Sequence, residues 1–333
     1  MPKISLLATV LFFISLNFLS SCKTDFDVNA PYKEEYIVYG LLELHNPVQI
    51  IKIEKVFQNN SSVTASQAAQ TEDSLNTSDN LVVQLIQYGQ DGSKLFVSLV
   101  KYYDLHKEPG VFASPGQYLY RTPDGFTLSA NAIDTLTIYN PKTGYRGIAG
   151  TTVVGDISPQ NPTSGTQINL ILTGTGSAVA FTEGANATSY DVNIKIPISE
   201  WRKQNSQLLR RDTLVFNVVQ NYNQQGGLFR QYVQSVDFYN FIRSSLTVDS
   251  SIYRKMDSLD FVITGAGTDL TNYIQVNVPT LGIAQKTPQY TNVTNGLGIF
   301  SSRLTNEVKA PLSSASFSVL AGSDITKLLN FRK

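Results

Sequence analysis

The chain offers few groups able to do chemistry. Its only imidazoles are His45 and His106. His45 sits in a turn ahead of Pro47, and His106 lies between Leu105 and Lys107. Neither has a second imidazole or a thiol at metal-ligand spacing, so both read as surface histidines, and no metal or other cofactor is expected. A Ser-His-Asp relay would need a placed nucleophile, and no Gly-x-Ser-x-Gly elbow is present. Glu72 and Asp73, and Asp257 and Asp260, are carboxylate pairs close in sequence. Acids this close on a loop are usually solvated. Gly174-Thr175-Gly176 lacks the lysine and helix of a phosphate loop and reads as a turn. An enzyme is therefore not expected. Aromatic faces are the richer resource. Tyr102, Tyr103, Tyr118 and Tyr120, with Phe126 nearby, suit either a stacking platform for a ligand or cross-strand packing. The single tryptophan, Trp201, stands alone.

Such side chains must be carried by strands. Tyr36–Leu42 and Pro47–Phe57 read as the first two, joined by the turn His45-Asn46-Pro47. Gln58–Asn80 breaks the pattern as a polar insertion, with a short helix expected over Ser66–Leu75. Leu81–Tyr88 and Lys94–Val100 form a hairpin over Gln90-Asp91-Gly92-Ser93. Further strands are expected at Gly116–Tyr120, Asp134–Tyr139 and Tyr145–Val154. About seven short strands at this spacing predict an immunoglobulin-like β-sandwich over residues 34–155, without the Cys-Trp-Cys marks of an antibody domain. Asp156–Gly165, rich in Pro, Ser and Thr, reads as a boundary. A second β-rich domain with short helices is expected over 165–333. Its strands are expected at Ile168–Thr173, Ser189–Ile196, Asp212–Gln220, Met256–Thr264, Leu297–Leu304 and Ala315–Leu320. Its helices are expected at Tyr232–Leu246, Thr268–Gln275 and Ser323–Phe331.

Composition agrees with a β-rich exported protein. Lys plus Arg and Asp plus Glu are 26 each, so no basic field exists to hold nucleic acid. The one cysteine, Cys22, has no disulfide partner in the chain. It ends an apolar run, Ile4–Leu19, that follows Lys3. A run this short, closed by Ser20 and Ser21, reads as an export signal rather than a spanning helix.

Leu19-Ser20-Ser21-Cys22 resembles the lipobox of bacterial lipoproteins. The resemblance implies a signal peptide over 1–21, lipidation of Cys22 and a tether over 22–33. Buried acyl chains contribute about 0.8 kcal/mol per CH2, enough for two or three of them to hold a soluble body at a membrane. Lys23-Thr24-Asp25-Phe26-Asp27 resembles the surface-export signal of Bacteroidota lipoproteins; a plain solvated tether is the alternative. Asp73-Ser74-Leu75, Asp134-Thr135-Leu136, Asp212-Thr213-Leu214 and Asp257-Ser258-Leu259 resemble Bacteroidota O-glycosylation sites. That implies Ser74, Thr135, Thr213 and Ser258 as acceptors, while Asp and Ser/Thr before an apolar strand also suit a plain turn.

Tyr36–Leu41, Glu183–Ile196 and Tyr290–Arg303 together resemble an uncharacterised family of Bacteroidota outer-membrane lipoproteins often met near TonB-dependent receptors. The resemblance implies a non-enzymatic accessory or binding subunit of an uptake system, anchored in the outer membrane and possessing a receptor partner. A surface glycan- or peptide-binding module is the alternative, and a hydrolase is expected less. Within the last stretch, Asn295-Gly296 supplies a tight turn, and Gly298 allows a close backbone approach.

Overall fold

The computed structural model describes residues 34–56, 80–105, 116–174, 176–223, 227–277 and 289–333. Residues 34–333 form one compact unit. The protein is mainly β, with short helices in its second half. Cys22, Ser74, His106, Glu72 and Asp73 and the expected helix over Ser66–Leu75 lie outside the described residues.

The first half carries β1 (Tyr36–Leu42), β2 (Ile50–Lys55), β3 (Val82–Tyr88), β4 (Lys94–Ser98), β5 (Val100–Asp104), β6 (Gln117–Arg121), β7 (Ile133–Tyr139) and β8 (Arg146–Thr152). β1-β2-β6-β5 lie side by side in one sheet and β4-β3-β7-β8 in another. Every neighbouring pair in both runs is antiparallel. With β1, β2, β3, β4, β5, β6, β7 and β8 lettered A, B, C, C′, D, E, F and G, these orders are A-B-E-D and C′-C-F-G, the Greek-key wiring of an immunoglobulin sandwich. Alternation builds its core: Tyr36, Val38, Leu42, Ile51 and Ile53 face Val83, Leu85, Leu136 and Ile138 across the gap. Each such side chain contributes about 1.5–3 kcal/mol when taken out of water.

The second half adds β9 (Ser158–Asn161), β10 (Ala178–Thr182), β11 (Ser189–Arg202), β12 (Leu208–Tyr222), β13 (Leu228–Tyr232), α1 (Ser235–Ser245), β14 (Ile252–Met256), β15 (Leu259–Ala266), α2 (Thr268–Asn277), β16 (Leu297–Ala310) and α3 (Ser314–Gly322). The expected strand at Ala315–Leu320 is α3 instead. Ser313 caps it, its Oγ accepting from the Ser316 backbone N–H at 3.1 Å, and an apolar run that short fits either period. The expected helix at Ser323–Phe331 contracts to a 3-10 turn at Lys327–Leu329. The stretch 156–165 carries β9. A second core joins Val192, Ile194 and Ile196 of β11 to Phe261 and Ile263 of β15, under Phe238, Tyr239 and Ile242 of α1.

The two halves share one sheet. Its order is β12-β11-β15-β16-β1-β2-β6-β5, with β14 pairing β11 off this path. The joint is a parallel pair, β1 with β16, from Ile37 opposite Leu297 to Leu42 opposite Ser302. Gly298 makes it feasible: at φ 89°, a Cβ there would stand 2.1 Å from the Val38 carbonyl oxygen. The close approach expected of Gly298 is thus to β1. Asn295, at φ 57°, turns the chain into β16. Just ahead, Asn292 clamps this entry. Its Oδ1 accepts from the Phe300 N–H at 3.0 Å, and its Nδ2 donates to the carbonyls of Phe300 and Gly150 at 2.7 and 3.2 Å. Thr294 N–H donates to the Ile148 carbonyl at 2.8 Å, covering the edge of β8.

Candidate functional site

Helix α2 stands on the outer face of the shared sheet and divides two clefts. Its first turn is fixed by the sheet beneath: the Leu270 N–H donates to Ser301 Oγ at 3.1 Å, and the Gly267 N–H donates to the Ser302 carbonyl at 2.9 Å. Hydroxyl pairs Thr188–Thr268 and Ser189–Thr271, both 2.8 Å, tie the helix to the start of β11.

The larger cleft, about 640 Å³, is polar. Thr151 and Thr152 at the end of β8 form one wall, the loop from Glu183 to Thr188 another, and Thr268 and Asp269 the third. The loop is held by Asn186, left-handed at φ 64°, whose Nδ2 donates to Asn131 Oδ1 at 2.9 Å and to the Val153 carbonyl at 3.0 Å. The Gly155 N–H donates to the Ala185 carbonyl at 2.8 Å. Glu183 Oε2 accepts from the Gly227 N–H at 3.2 Å.

The smaller cleft, about 240 Å³, is lined by Ile37, Tyr39, Tyr273, Asn277, Gln289 and Tyr290, with Thr291, Leu297 and Gly298 beneath. Tyr39 rises from β1 and remains 42% exposed in the middle of the sheet. Tyr273 comes from α2. Tyr290 lies ahead of β16 and donates its hydroxyl to Asp269 Oδ1 at 2.6 Å. Asp269 lines the polar cleft too, so this hydrogen bond is the partition between the clefts. Burial raises the Tyr290 phenol above its ordinary pKa, and the Asp269 hydrogen bond adds to the rise. Burial also raises that of Tyr39, with the neighbouring Tyr273 and Glu54 contributing.

The expected aromatic platform is split by the sheet. Tyr103 and Tyr118 are cross-strand partners with ring centroids 5.0 Å apart. Tyr120, two residues on, is in the sandwich core at 1% exposure. Tyr102 points to the opposite face, because successive side chains alternate. It shares that outer face with Tyr39 through the registered row Tyr39, Lys52, Leu119, Tyr102. Tyr39, Tyr273 and Tyr290 are far apart in sequence; Tyr39 and Tyr290 fall in two of the stretches that carry the resemblance, but no sequence signal joined them into a cleft.

The remaining candidates are dispersed. Thr135 is half-buried in mid-strand on β7, Thr213 is exposed on β12, and Ser258 is half-buried in the turn between β14 and β15. Asp260 faces Lys309 at 3.9 Å, while Asp257 is exposed in that same turn. His45 Nε2 lies 2.5 Å from Asp156 Oδ1, both side chains being solvent-exposed. Among the described residues no group of three or more His, Cys, Asp or Glu is arranged to hold a metal ion. No helix among them is long and apolar enough to cross a membrane.

No family model matches the chain, and no curated protein matches it either. Among solved structures it is similar to a chain described as "Biofilm associated protein - BSP domain", at 8% identity and a TM-score of 0.16. The match covers 91% of this chain and 64% of that one, and at this score it carries no argument.

Proposed function

We propose that this chain is a non-enzymatic lipoprotein of the outer membrane, of the Bacteroidota kind that its motifs resemble, acting as an accessory or binding subunit of a TonB-dependent uptake system. The observation that supports it is the closeness of the Leu-Ser-Ser-Cys signal to a strand in the middle of a large sheet. β1 starts at Tyr36 and is paired on both sides, by β2 and β16. Residues 23–35, fully extended, reach at most about 45 Å. A body held that near the lipid presents its clefts within reach of a neighbouring membrane receptor. The three stretches behind the family resemblance support the same reading. One is the strand β1, and the other two hold the turns that join the halves, through Asn186 and Asn292.

Two measurements test it. Cys22→Ser should move the protein from the sedimenting envelope to the supernatant. Pull-down of the intact lipidated protein from native membranes should recover a β-barrel partner. A serine variant that still sediments, or repeated recovery of no barrel, contradicts the proposal. The glycan- or peptide-binding alternative is favoured by one observation, the tyrosine-lined cleft beside α2.

A further inference from the structure

Resting on the reading of a binding subunit, we propose that the cleft between Tyr39, Tyr273 and Tyr290 is a ligand site for a neutral oligosaccharide. The first argument is the floor. Tyr39 is in a strand paired on both sides, yet its ring is 42% exposed beneath an open cavity of about 240 Å³. Tyrosine rings offer rigid apolar faces with polar rims, which match the C–H faces and hydroxyls of a sugar ring. A volume somewhat below the usual 300–1,000 Å³ of drug-sized sites suits one ring held at a time.

The second argument is the polar rim. Asp269 accepts from the Tyr290 hydroxyl at 2.6 Å, which orients that ring, and its carboxylate also borders the polar cleft on the far side. Asn277 and Gln289 line the same rim, with Asn277 Nδ2 donating to the Tyr273 carbonyl at 2.8 Å. These are donors and acceptors suited to hydroxyl groups.

Charge selects the class. Next to Tyr39 on the outer face, Lys52 Nζ is paired with Glu54 Oε1 at 2.7 Å. The carboxylate of Asp269 disfavours an anionic sugar at the wall. An uncharged polyol meets no such penalty. The site also disfavours a peptide bound as an added strand. Such binding needs an open sheet edge, and both β1 and β16 have neighbours on each side. The row from Tyr39 across Lys52 and Leu119 to Tyr102 spans three strand spacings, about 14 Å. Within that row Leu119 is buried, so the open aromatic surface for a sugar is the cleft itself.

The test is affinity electrophoresis of the full chain in mild detergent. Separate gels would contain xyloglucan, mixed-linkage β-glucan, galactomannan or amylopectin, with polygalacturonate and gelatin as the anionic and peptide arms. We expect retardation by at least one neutral polysaccharide. Tyr39→Ala and Tyr290→Ala should each weaken it at least tenfold, whereas Tyr118→Ala, on the inner face of β6, should leave it unchanged. Tyr39→Leu keeps apolar volume without a flat ring and carries the test if the alanine variant melts early. The assignment is overturned by retardation that survives Tyr39→Leu, by retardation in polygalacturonate or gelatin alone, or by none in any neutral gel. Receptor recovery from membranes should be unaffected by Tyr39→Leu. Intact recovery without glycan retardation therefore removes only the ligand assignment, and retardation without a receptor removes only the accessory role.

Discussion

Asp134 sets a pH-dependent limit on the stability of this protein. Its side chain is fully buried on β7, on the inward face shared with Leu136 and Ile138. Oδ1 is reached by Gln87 Nε2 at a long 3.4 Å, and Oδ2 has no hydrogen-bond partner. Gln87 is itself turned by Ser129, whose Oγ donates to Gln87 Oε1 at 2.9 Å. Opposite on β8 is Thr151, an uncharged cross-strand partner. Burial pushes the carboxyl from 3.8 up to about 7, and the Gln87 contact offsets only part of that. A shift of this size corresponds to about 4 kcal/mol between the protonated and ionised folded states. The sign follows from which state holds the proton. Below pH 4 both folded and unfolded chains are protonated at this site, and it costs nothing. Between pH 4 and 7 the unfolded chain releases the proton while the folded chain keeps it, so stability falls by up to about 1.4 kcal/mol per pH unit. Above pH 7 the loss is complete and constant. Asp134→Asn removes the titration. Its stability relative to the parent should rise by about 4 kcal/mol between pH 4 and pH 8, whatever fixed cost the buried amide carries. Urea unfolding at several pH values, followed by the fluorescence of Trp201 and by circular dichroism, measures the difference. A parent-minus-variant difference that stays flat from pH 4 to pH 8 would refute the argument, because it would mean that Asp134 ionises freely inside the fold.

Other perturbations have equally definite outcomes. Gly298→Ala adds a Cβ at positive φ against the Val38 backbone and should cost roughly 3 kcal/mol or more, read as a lowered melting temperature; an unchanged melt would remove the joint from its role. Arg254 is fully buried, with Nη2 at 2.8 Å from Glu200 Oε1 and further bonds to the carbonyls of Leu329 and Thr247 at 3.0 and 2.9 Å. Arg254→Met should cost roughly 3–5 kcal/mol, because the Leu329 and Thr247 carbonyls lose their donor and Glu200 keeps only Arg210, whose Nε is 2.8 Å from its Oε2; a loss below about 1 kcal/mol in urea unfolding counts against this account. Asn292→Ala removes the clamp on β16 and should cost roughly 2 kcal/mol, with faster amide exchange at Phe300 as its local sign. Intact mass after expression in a native host tests the O-glycosylation expected at Ser74, Thr135, Thr213 and Ser258, and an unmodified mass ends that expectation.

Local pattern was enough for the strand-rich fold and for the sandwich. Period-two alternation in Val82–Tyr88 and Ile133–Tyr139 forces one face inward, and Asp91-Gly92 turns the chain between β3 and β4. Both are effects within a few residues, so they are readable from one sequence. Helices α1 and α2 announced themselves in the same way. The run at Ala315–Leu320 did not, because six apolar and small residues fit either period, and the choice fell to the cap at Ser313 and the buried position of Leu320. The tyrosine cleft was beyond local reading altogether. Adjacent residues on a strand point to opposite faces, so the sequence neighbours Tyr102 and Tyr103 are separated by the sheet. Tyr39, Tyr273 and Tyr290, hundreds of positions apart at the extremes, are brought together by the parallel pairing of the first strand with the last. That pairing depends on a glycine meeting a distant backbone, a contact between partners that no single stretch of sequence contains.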